Sequence, residues 1–158
     1  NRRLLMDRLN QALSASARSG QHGAVMFLDM DRFKSLNDTK GHDYGDMLLI
    51  EVAKRLQGCV RGADTVARLG GDEFVVVLEA LGSTDAEVTN AAGLVVEKIR
   101  IALNQPYQLR EYVHHASASI GISMFCGNQK SVDDLLKCAD QAMYQAKMAG
   151  RSTPPATQ

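Results

Sequence analysis

Two carboxylates, Asp72 and Glu73, directly follow two glycines, Gly70 and Gly71, between the apolar-leaning segments 65–69 and 74–78. This arrangement predicts a β-hairpin, because glycine supplies the positive-φ conformations that a tight reversal needs. The glycines also lack Cβ atoms, so a ligand can approach the backbone closely. Two acids at such a tip repel one another, and a bound cation would relieve the repulsion. A solvated acidic turn is the other interpretation, and this stretch alone leaves both open.

A second pair of acids, Asp29 and Asp31, follows the continuous apolar run 24–28. Such a run is typical of a central strand covered on both faces. The carboxyl end of a strand is a usual place for ligand-binding groups in α/β sheets. Both acids are therefore candidate metal ligands, although Asp31 could instead cap the helix that follows.

The composition excludes several classes of function. The 158 residues suit one domain, and 18 Lys and Arg balance 18 Asp and Glu, so no basic excess indicates a nucleic-acid polymer or a membrane surface. No apolar run approaches the ~20 residues that span a bilayer. Three scattered cysteines without a CxxC pair favour a reducing, cytoplasmic setting, although a parent protein could be membrane-tethered. We interpret His114 and His115, adjacent in a predicted strand, as structural or surface residues.

Hydrophobic periodicity predicts the elements that position these residues. Helices are expected over 3–18, 33–37, 46–58, 85–103 and 133–148, with Ser131 as a cap for the last of them. A polar turn is expected over 38–45. The segment 116–124 alternates small and apolar residues, which predicts a half-buried strand packed closely by another element. The order α-β-α-α-β-β-α-β-α predicts an α/β (α+β) fold with a mixed, largely antiparallel sheet of about five strands flanked by helices.

Taken together, several motifs of this chain match one known family. Residues 70–74 read GGDEF, residues 29–38 read DMDRFKSLND, and Gly41-His42 and Gly45-Asp46 follow at the expected spacing. Downstream, residues 118–122 read ASIGI, residues 139–147 read ADQAMYQAK, and Gly150-Arg151 follows. The chain resembles the GGDEF-domain diguanylate cyclases over residues 1–152. Residues 153–158 are expected to be a disordered tail or linker, and the domain is expected to come from a longer multidomain protein.

The resemblance implies a fold like the nucleotide cyclase and polymerase palm cores. It implies an enzyme that condenses two GTP molecules into cyclic di-GMP, with release of two pyrophosphates, between two copies of the domain. Mg²⁺ or Mn²⁺ would be the cofactor, bound by Asp29, the Met30 carbonyl, Asp72 and Glu73, and the last two would be catalytic. Roles in GTP binding fall to Phe33, Lys34, Asn37, Asp46, Gly70, Gly71, Lys147 and Arg151. An inhibitory site for the product would use Arg61, Asp64 and Arg68.

Other interpretations stay open for several of these residues. Taken alone, Asn37 is typical of a turn, Asp46 of a helix cap, and Lys147 with Arg151 of a solvated cluster at a helix C-terminus. At the level of the whole chain, the alternatives are a catalytically silent GTP-binding regulatory module and a cyclic di-GMP receptor domain.

Overall fold

The computed structural model describes residues 2–152, with side chains for residues 2–150. The expected tail therefore lies outside the described residues. The helices are α1 (Arg2–Ser19), α2 (Phe33–Lys40), α3 (His42–Cys59), α4 (Asp85–Asn104) and α5 (Val132–Ser152). The strands are β1 (His22–Met30), β2 (Thr65–Gly70), β3 (Glu73–Gly82), β4 (Tyr107–Leu109), β5 (Tyr112–His114) and β6 (Ala118–Phe125).

The central sheet has the strand order β2-β3-β1-β6, and every neighbouring pair is antiparallel. The predicted fold class is confirmed, but this sheet contains four strands rather than about five. A separate two-stranded hairpin, β4-β5, lies between α4 and β6 and was not predicted. Its three-residue strands are too short for period-two alternation to distinguish them from a loop.

Strand β1 lies in the middle of the sheet, and residues 23–28 are buried, as the apolar run predicted. Its side chains alternate between two cores. Met26 and Leu28 belong to the core that includes residues of α3 and α4, whereas Val25 and Phe27 belong to the core that includes residues of α1 and α5. Covering both faces of β1 and β3 fixes the register, because a slip by one residue would exchange the two cores.

Strand β6 packs closely against helix α5. Its serine and glycine face is the more buried face, with Ser119 and Ser123 each 7% exposed. A Cβ atom at Gly121 would overlap backbone atoms of α5, including the Met143 amide nitrogen. The expectation of close packing is met, and burial alternates along the strand as a half-buried strand requires. The more buried face is the one with the small residues, because helix α5 lies against it.

The turn predicted over 38–45 is also wrong. Helix α2 continues to Lys40 and α3 begins at His42, so Gly41 alone joins them. Gly41 adopts φ 97°, and its amide donates to the Asn37 carbonyl at 2.8 Å. A single glycine suffices to join the two helices because its backbone adopts a φ, ψ region that other residues rarely adopt.

Helix α5 continues past Gly150 to Ser152. The cap predicted for its start is present, because the Asp134 amide donates to Ser131 Oγ at 3.1 Å.

Candidate active site

The β2-β3 hairpin presents its acids beside an open backbone. Gly71 adopts φ 51°, and Arg68 Nε donates to the Gly71 carbonyl at 2.9 Å, which ties the turn to strand β2. No described atom lies within 4 Å of the position where a Cβ would project from Gly70 or Gly71. The turn therefore leaves space for another molecule to approach the main chain.

The ladder between β1 and β3 brings the third acid to the hairpin. Asp29 is the register partner of Glu73, at the end of the paired segment. From α5, Lys147 Nζ lies 2.5 Å from Asp29 Oδ2, with both side chains mostly buried. The other oxygen, Asp29 Oδ1, is buried and has no hydrogen-bond partner among the described residues when Asp72 is ionised. A buried carboxylate oxygen without a partner is costly, so this atom is a ready acceptor for a cation or a donor.

Burial and neighbouring carboxylates perturb both hairpin acids. The pKa of Asp72 is raised to about 7, mainly by desolvation, then by a hydrogen bond with the Asp29 carboxylate and by its negative charge, while Lys147 partly offsets the shift. The pKa of Glu73 is also raised, first by desolvation and then by Asp140 and Asp29. Carboxyl groups whose charge is disfavoured in this way are held ready to bind a cation or to exchange a proton.

These acids fit a divalent metal ion in their chemistry. Hard cations such as Mg²⁺ take oxygen ligands, and the partnerless Asp29 Oδ1 and the desolvated Asp72 carboxyl are donors of that kind. Within residues 2–150, however, the structure contains no group of three or more acids, histidines or cysteines already arranged around one point. The Met30 side chain is buried in the core, so only its backbone carbonyl could serve as a further ligand.

Asn37 of α2 and Asp46 of α3, two of the residues predicted to bind GTP, lie on either side of the joint between these helices. Asn37 Oδ1 is buried and has no hydrogen-bond partner within residues 2–150. A Cβ at Gly45 would overlap that oxygen and would approach the Phe33 ring, so both side chains pack on this glycine. Asp46, the next residue, is exposed. Asn37 and Asp46 are thus neighbours across Gly45, and together they offer one buried and one exposed acceptor.

The start of α2 leaves backbone donors and a cation next to this site. Its first turn carries the exposed Lys34, and the residue that caps it, Arg32, adopts φ 59° and makes no side-chain capping bond. The first N–H groups of a helix have no partner within the helix, which favours anionic ligands there.

Asp31 makes contacts that the sequence did not predict. Its two carboxylate oxygens each accept a hydrogen bond at 2.7 Å, from the hydroxyls of Ser117 and Ser119, and its amide donates to the Ser117 carbonyl. Capping by Asp31 is therefore wrong, because the helix cap is Arg32 and the Asp31 oxygens are bonded to the two serines instead. Asp31 ties the segment between β1 and α2 to β6. Sequence reasoning missed this contact because the three residues are far apart in the chain.

The residues predicted for an inhibitory site separate into two groups. Asp64, whose side chain is 2% exposed, accepts from the Arg61 and Glu79 amides at 2.9 and 3.1 Å. The Arg61 guanidinium is 58% exposed and donates to the Glu79 carbonyl. Burial, followed by repulsion from Asp64, raises the pKa of Glu79. Arg68 instead supports the hairpin turn, so it is not held against this pair.

Arg151 lies in α5, but its side chain is outside the described part of the chain. Of the two α5 residues predicted to bind GTP, Lys147 and Arg151, the structure places only the side chain of Lys147, which lies next to Asp29. The described contacts bring the hairpin acids, Asp29 and Lys147 together in one candidate site.

Comparison with known proteins identifies the family. The family described as "Diguanylate cyclase, GGDEF domain" matches residues 1–153. This chain belongs to the GGDEF domain family. A GGDEF-containing relative, the bifunctional diguanylate cyclase/cyclic di-GMP phosphodiesterase MucR of Pseudomonas aeruginosa, is 46% identical over 152 residues, which are 96% of this chain and 21% of MucR. Diguanylate cyclase A of Treponema denticola is 36% identical over 150 residues, which are 94% of this chain and 38% of that protein.

Solved structures of GGDEF domains agree with the fold. The crystal structure of the GGDEF domain of PA1120 (YfiN or TpbB) from Pseudomonas aeruginosa has a TM-score of 0.87 and 37% identity, and the match covers 94% of this chain and 90% of that one. The GGDEF domain spans about a fifth of the length of the first curated relatives that it matches. In the described residues, no helix is both long and apolar enough to cross a membrane.

Proposed function

We propose that this domain is a diguanylate cyclase that condenses two GTP molecules into cyclic di-GMP. The observation that carries the proposal is that Asp29 lies beside the hairpin acids Asp72 and Glu73, next to an open glycine turn. Two of these acids have raised pKa values, and the third has a buried oxygen without a partner. Membership of the GGDEF family supports the same reaction.

In this reaction, the 3′-oxygen of one GTP attacks the α-phosphorus of the other. The bond from the α-phosphorus to its bridging oxygen breaks, and pyrophosphate leaves. The reciprocal step closes the ring and releases the second pyrophosphate. Asp72 is proposed to accept the hydroxyl proton, because its raised pKa, about 7 without a metal ion, makes it a stronger base than an ordinary aspartate.

A divalent cation, Mg²⁺ or Mn²⁺, would be held by Asp29, Asp72, Glu73 and the Met30 carbonyl. When bound, it supplies charge stabilisation for the phosphate oxygens and the leaving pyrophosphate. Lys147 adds a fixed positive charge beside Asp29, and Arg151, four residues further along α5, is proposed to act with it on the β- and γ-phosphates. The backbone of Gly70 and Gly71 leaves room for the nucleotide, and Phe33 and Lys34 at the start of α2 bind its phosphates.

Asn37 and Asp46 are proposed to recognise guanine. Guanine offers N–H donors at N1 and N2, which the unpaired Asn37 Oδ1 and the exposed Asp46 carboxylate can accept. Adenine lacks this pair of donors, so binding ATP would leave acceptors unpaired, and a site of this kind rejects such a ligand strongly.

One copy of the domain supplies one acid cluster and one guanine site, whereas the product contains two guanylates. We therefore propose that two copies face each other during catalysis. Cyclic di-GMP would also bind at Arg61 and inhibit the enzyme, because this guanidinium is exposed and can fork onto phosphate or guanine. Asp64 would position Arg61, and Arg68 would contribute only if the product reached towards the hairpin.

The test is GTP turnover with Mg²⁺ by the intact chain and by Asp72→Ala, with cyclic di-GMP measured directly. We expect the variant to lose at least about a hundredfold in rate, the usual scale for removing a general base, while its circular dichroism is unchanged. Asp38→Ala, an exposed acid on α2, is the control and should retain full activity. Equal rates for the wild-type chain and Asp72→Ala would contradict the assigned chemistry.

The second candidate is a GTP-binding regulatory or receptor module within a composite protein. MucR is named for both a cyclase and a phosphodiesterase activity, and this chain matches only 21% of it. A silent module would bind GTP or cyclic di-GMP without forming product. Binding of cyclic di-GMP that survives Asp72→Ala but is lost in Arg61→Ala would show a receptor site that is independent of catalysis.

A further inference from the structure

A cleft lies next to the candidate active site, bounded by α2, the β4-β5 hairpin, the start of β6, and the ends of α4 and α5. It has a volume of about 950 Å³. Of the described residues predicted to bind GTP, Lys147 alone lines it. On α2 it is lined by Ser35, Leu36, Thr39 and Lys40, whereas Asn37 packs on Gly45 and is not part of the lining. The cleft is therefore distinct from the proposed guanine site.

The described lining of the cleft carries more cations than acids, although the whole chain has no net charge. Among the described lining residues the one carboxylate is Asp31, and each of its oxygens accepts a hydroxyl, from Ser117 and Ser119. The cations are Arg32, Lys40, Arg100 and Lys147. Arg100 and Lys147 contact acids outside the lining, Glu97 and Asp29, so Arg32 and Lys40 supply most of the uncompensated charge. A concave surface with one sign of charge concentrates anions.

The other groups of the cleft favour an inorganic anion over a nucleobase. Lys40 Nζ lies 4.4 Å from the centre of the Tyr112 ring, so a face of the only aromatic carbocycle in the lining is taken. Thr39 Oγ1 donates to the Ser35 carbonyl at 2.7 Å. Both oxygens of Asp31 already accept a serine hydroxyl, which leaves the described lining few free acceptors for the N–H donors of a base. Its cations and hydroxyl donors are better suited to phosphate oxygens.

We propose that this cleft binds inorganic pyrophosphate, the leaving product of the cyclase reaction. Lys147 links the two sites, because its ammonium contacts Asp29 and its side chain also lines the cleft. Pyrophosphate released beside Lys147 would enter a basic path that leads to Arg100 of α4. The pyrophosphate assignment rests on the proposed function, whereas the basic cleft itself does not.

The first experiment measures pyrophosphate binding to the intact chain by titration calorimetry, with and without Mg²⁺. The variant Lys40→Gln/Arg100→Gln removes two charges from the cleft, and neither residue belongs to the proposed catalytic machinery. We expect its affinity for pyrophosphate to fall about tenfold, since each exposed charge contributes a factor of about 2–5. Lys54→Gln, an exposed lysine of α3 outside the cleft, is the matched control and should bind within twofold of the wild-type chain.

The second arm separates pyrophosphate from the β- and γ-phosphates of GTP, which share its chemistry. A non-hydrolysable GTP analogue should bind the double variant as tightly as it binds the wild-type chain. An equal loss for the analogue would assign the cleft to the substrate and overturn the proposal. Absence of pyrophosphate binding by the wild-type chain, or equal binding by the double variant, would also overturn it.

Failure of the proposed function has a separate signature. If the chain forms no cyclic di-GMP but its pyrophosphate binding still depends on Lys40 and Arg100, the result would support the anion site and contradict its link to the cyclase reaction. If the chain forms cyclic di-GMP but the double variant binds pyrophosphate as the wild-type chain does, the result would support the reaction and contradict the cleft as a pyrophosphate site.

Discussion

The Asp72 carboxylate should lower the free energy of unfolding of the metal-free domain at neutral and alkaline pH, and Asp72→Asn should raise it again. Desolvation and then the Asp29 carboxylate raise the pKa of Asp72 from its ordinary value of 3.8 to about 7. A carboxyl whose pKa is higher in the folded state binds its proton more tightly when folded. The associated stability is complete below about pH 4 and is lost as the pH rises through about 7.

The magnitude follows from the same shift. A pKa that rises from 3.8 to about 7 corresponds to roughly 4 kcal/mol if the whole effect persists. Asp72 is only partly buried, so solvent screening reduces the expected penalty to about 1–2 kcal/mol. The asparagine has no charge to desolvate, so at pH 8 it should be more stable than the wild-type chain by that amount.

The assay is urea denaturation at pH 4 and pH 8 in a buffer that contains a chelator. The advantage of Asp72→Asn should be present at pH 8 and absent at pH 4, while Asp38→Asn, the exposed control, should show little advantage at either pH. Mg²⁺ should stabilise the wild-type chain more than Asp72→Asn at pH 8. An asparagine variant that is equally or less stable at pH 8 without metal would refute the reasoning about this acid cluster.

Further predictions concern the packing of the fold and the proposed guanine site. Arg55 donates to three carbonyls at and just after the end of α4, each at 2.8 Å, and its guanidinium carbon lies 3.8 Å from the centre of the Tyr107 ring. Arg55→Ala should therefore lower the free energy of unfolding in urea by about 2–4 kcal/mol, and a decrease below about 0.5 kcal/mol would contradict this. Gly121→Ala should cost about 3 kcal/mol because its methyl group would overlap the backbone of α5, whereas Gly93→Ala, where nothing lies within 4 Å, should gain about 0.5–1 kcal/mol; equal effects would show that the close packing is misassigned. Asn37→Ala should reduce the preference for GTP over ATP about tenfold in competitive binding while stability stays within about 1 kcal/mol, and unchanged selectivity would remove Asn37 from guanine recognition.

The sequence was informative where one local pattern determined the structure. The apolar run before Asp29 predicted a central strand, and the glycine pair predicted the hairpin that carries Asp72 and Glu73. In both places, local conformational propensity and burial favour the same conformation, so a short stretch of sequence is sufficient to predict it.

The features that the sequence did not predict depend on contacts between distant segments. The hydroxyls that bond Asp31 lie more than eighty residues further along the chain, and the β4-β5 hairpin joins strands of three residues. Strand β6 alternates as a half-buried strand does, but its pattern does not show that α5 is the element that covers its small residues. Family motifs predicted that Asp29 and Lys147 share a site, but the contact between them was not visible in any local pattern.

The most direct test of the central proposal is cyclic di-GMP formation from GTP and Mg²⁺ across a range of protein concentrations. If two copies of the domain must face each other, the rate per molecule should rise with concentration and then level off as the dimer becomes populated. A domain that binds GTP but forms no cyclic di-GMP at any concentration, even when two copies are tethered, would contradict the proposal.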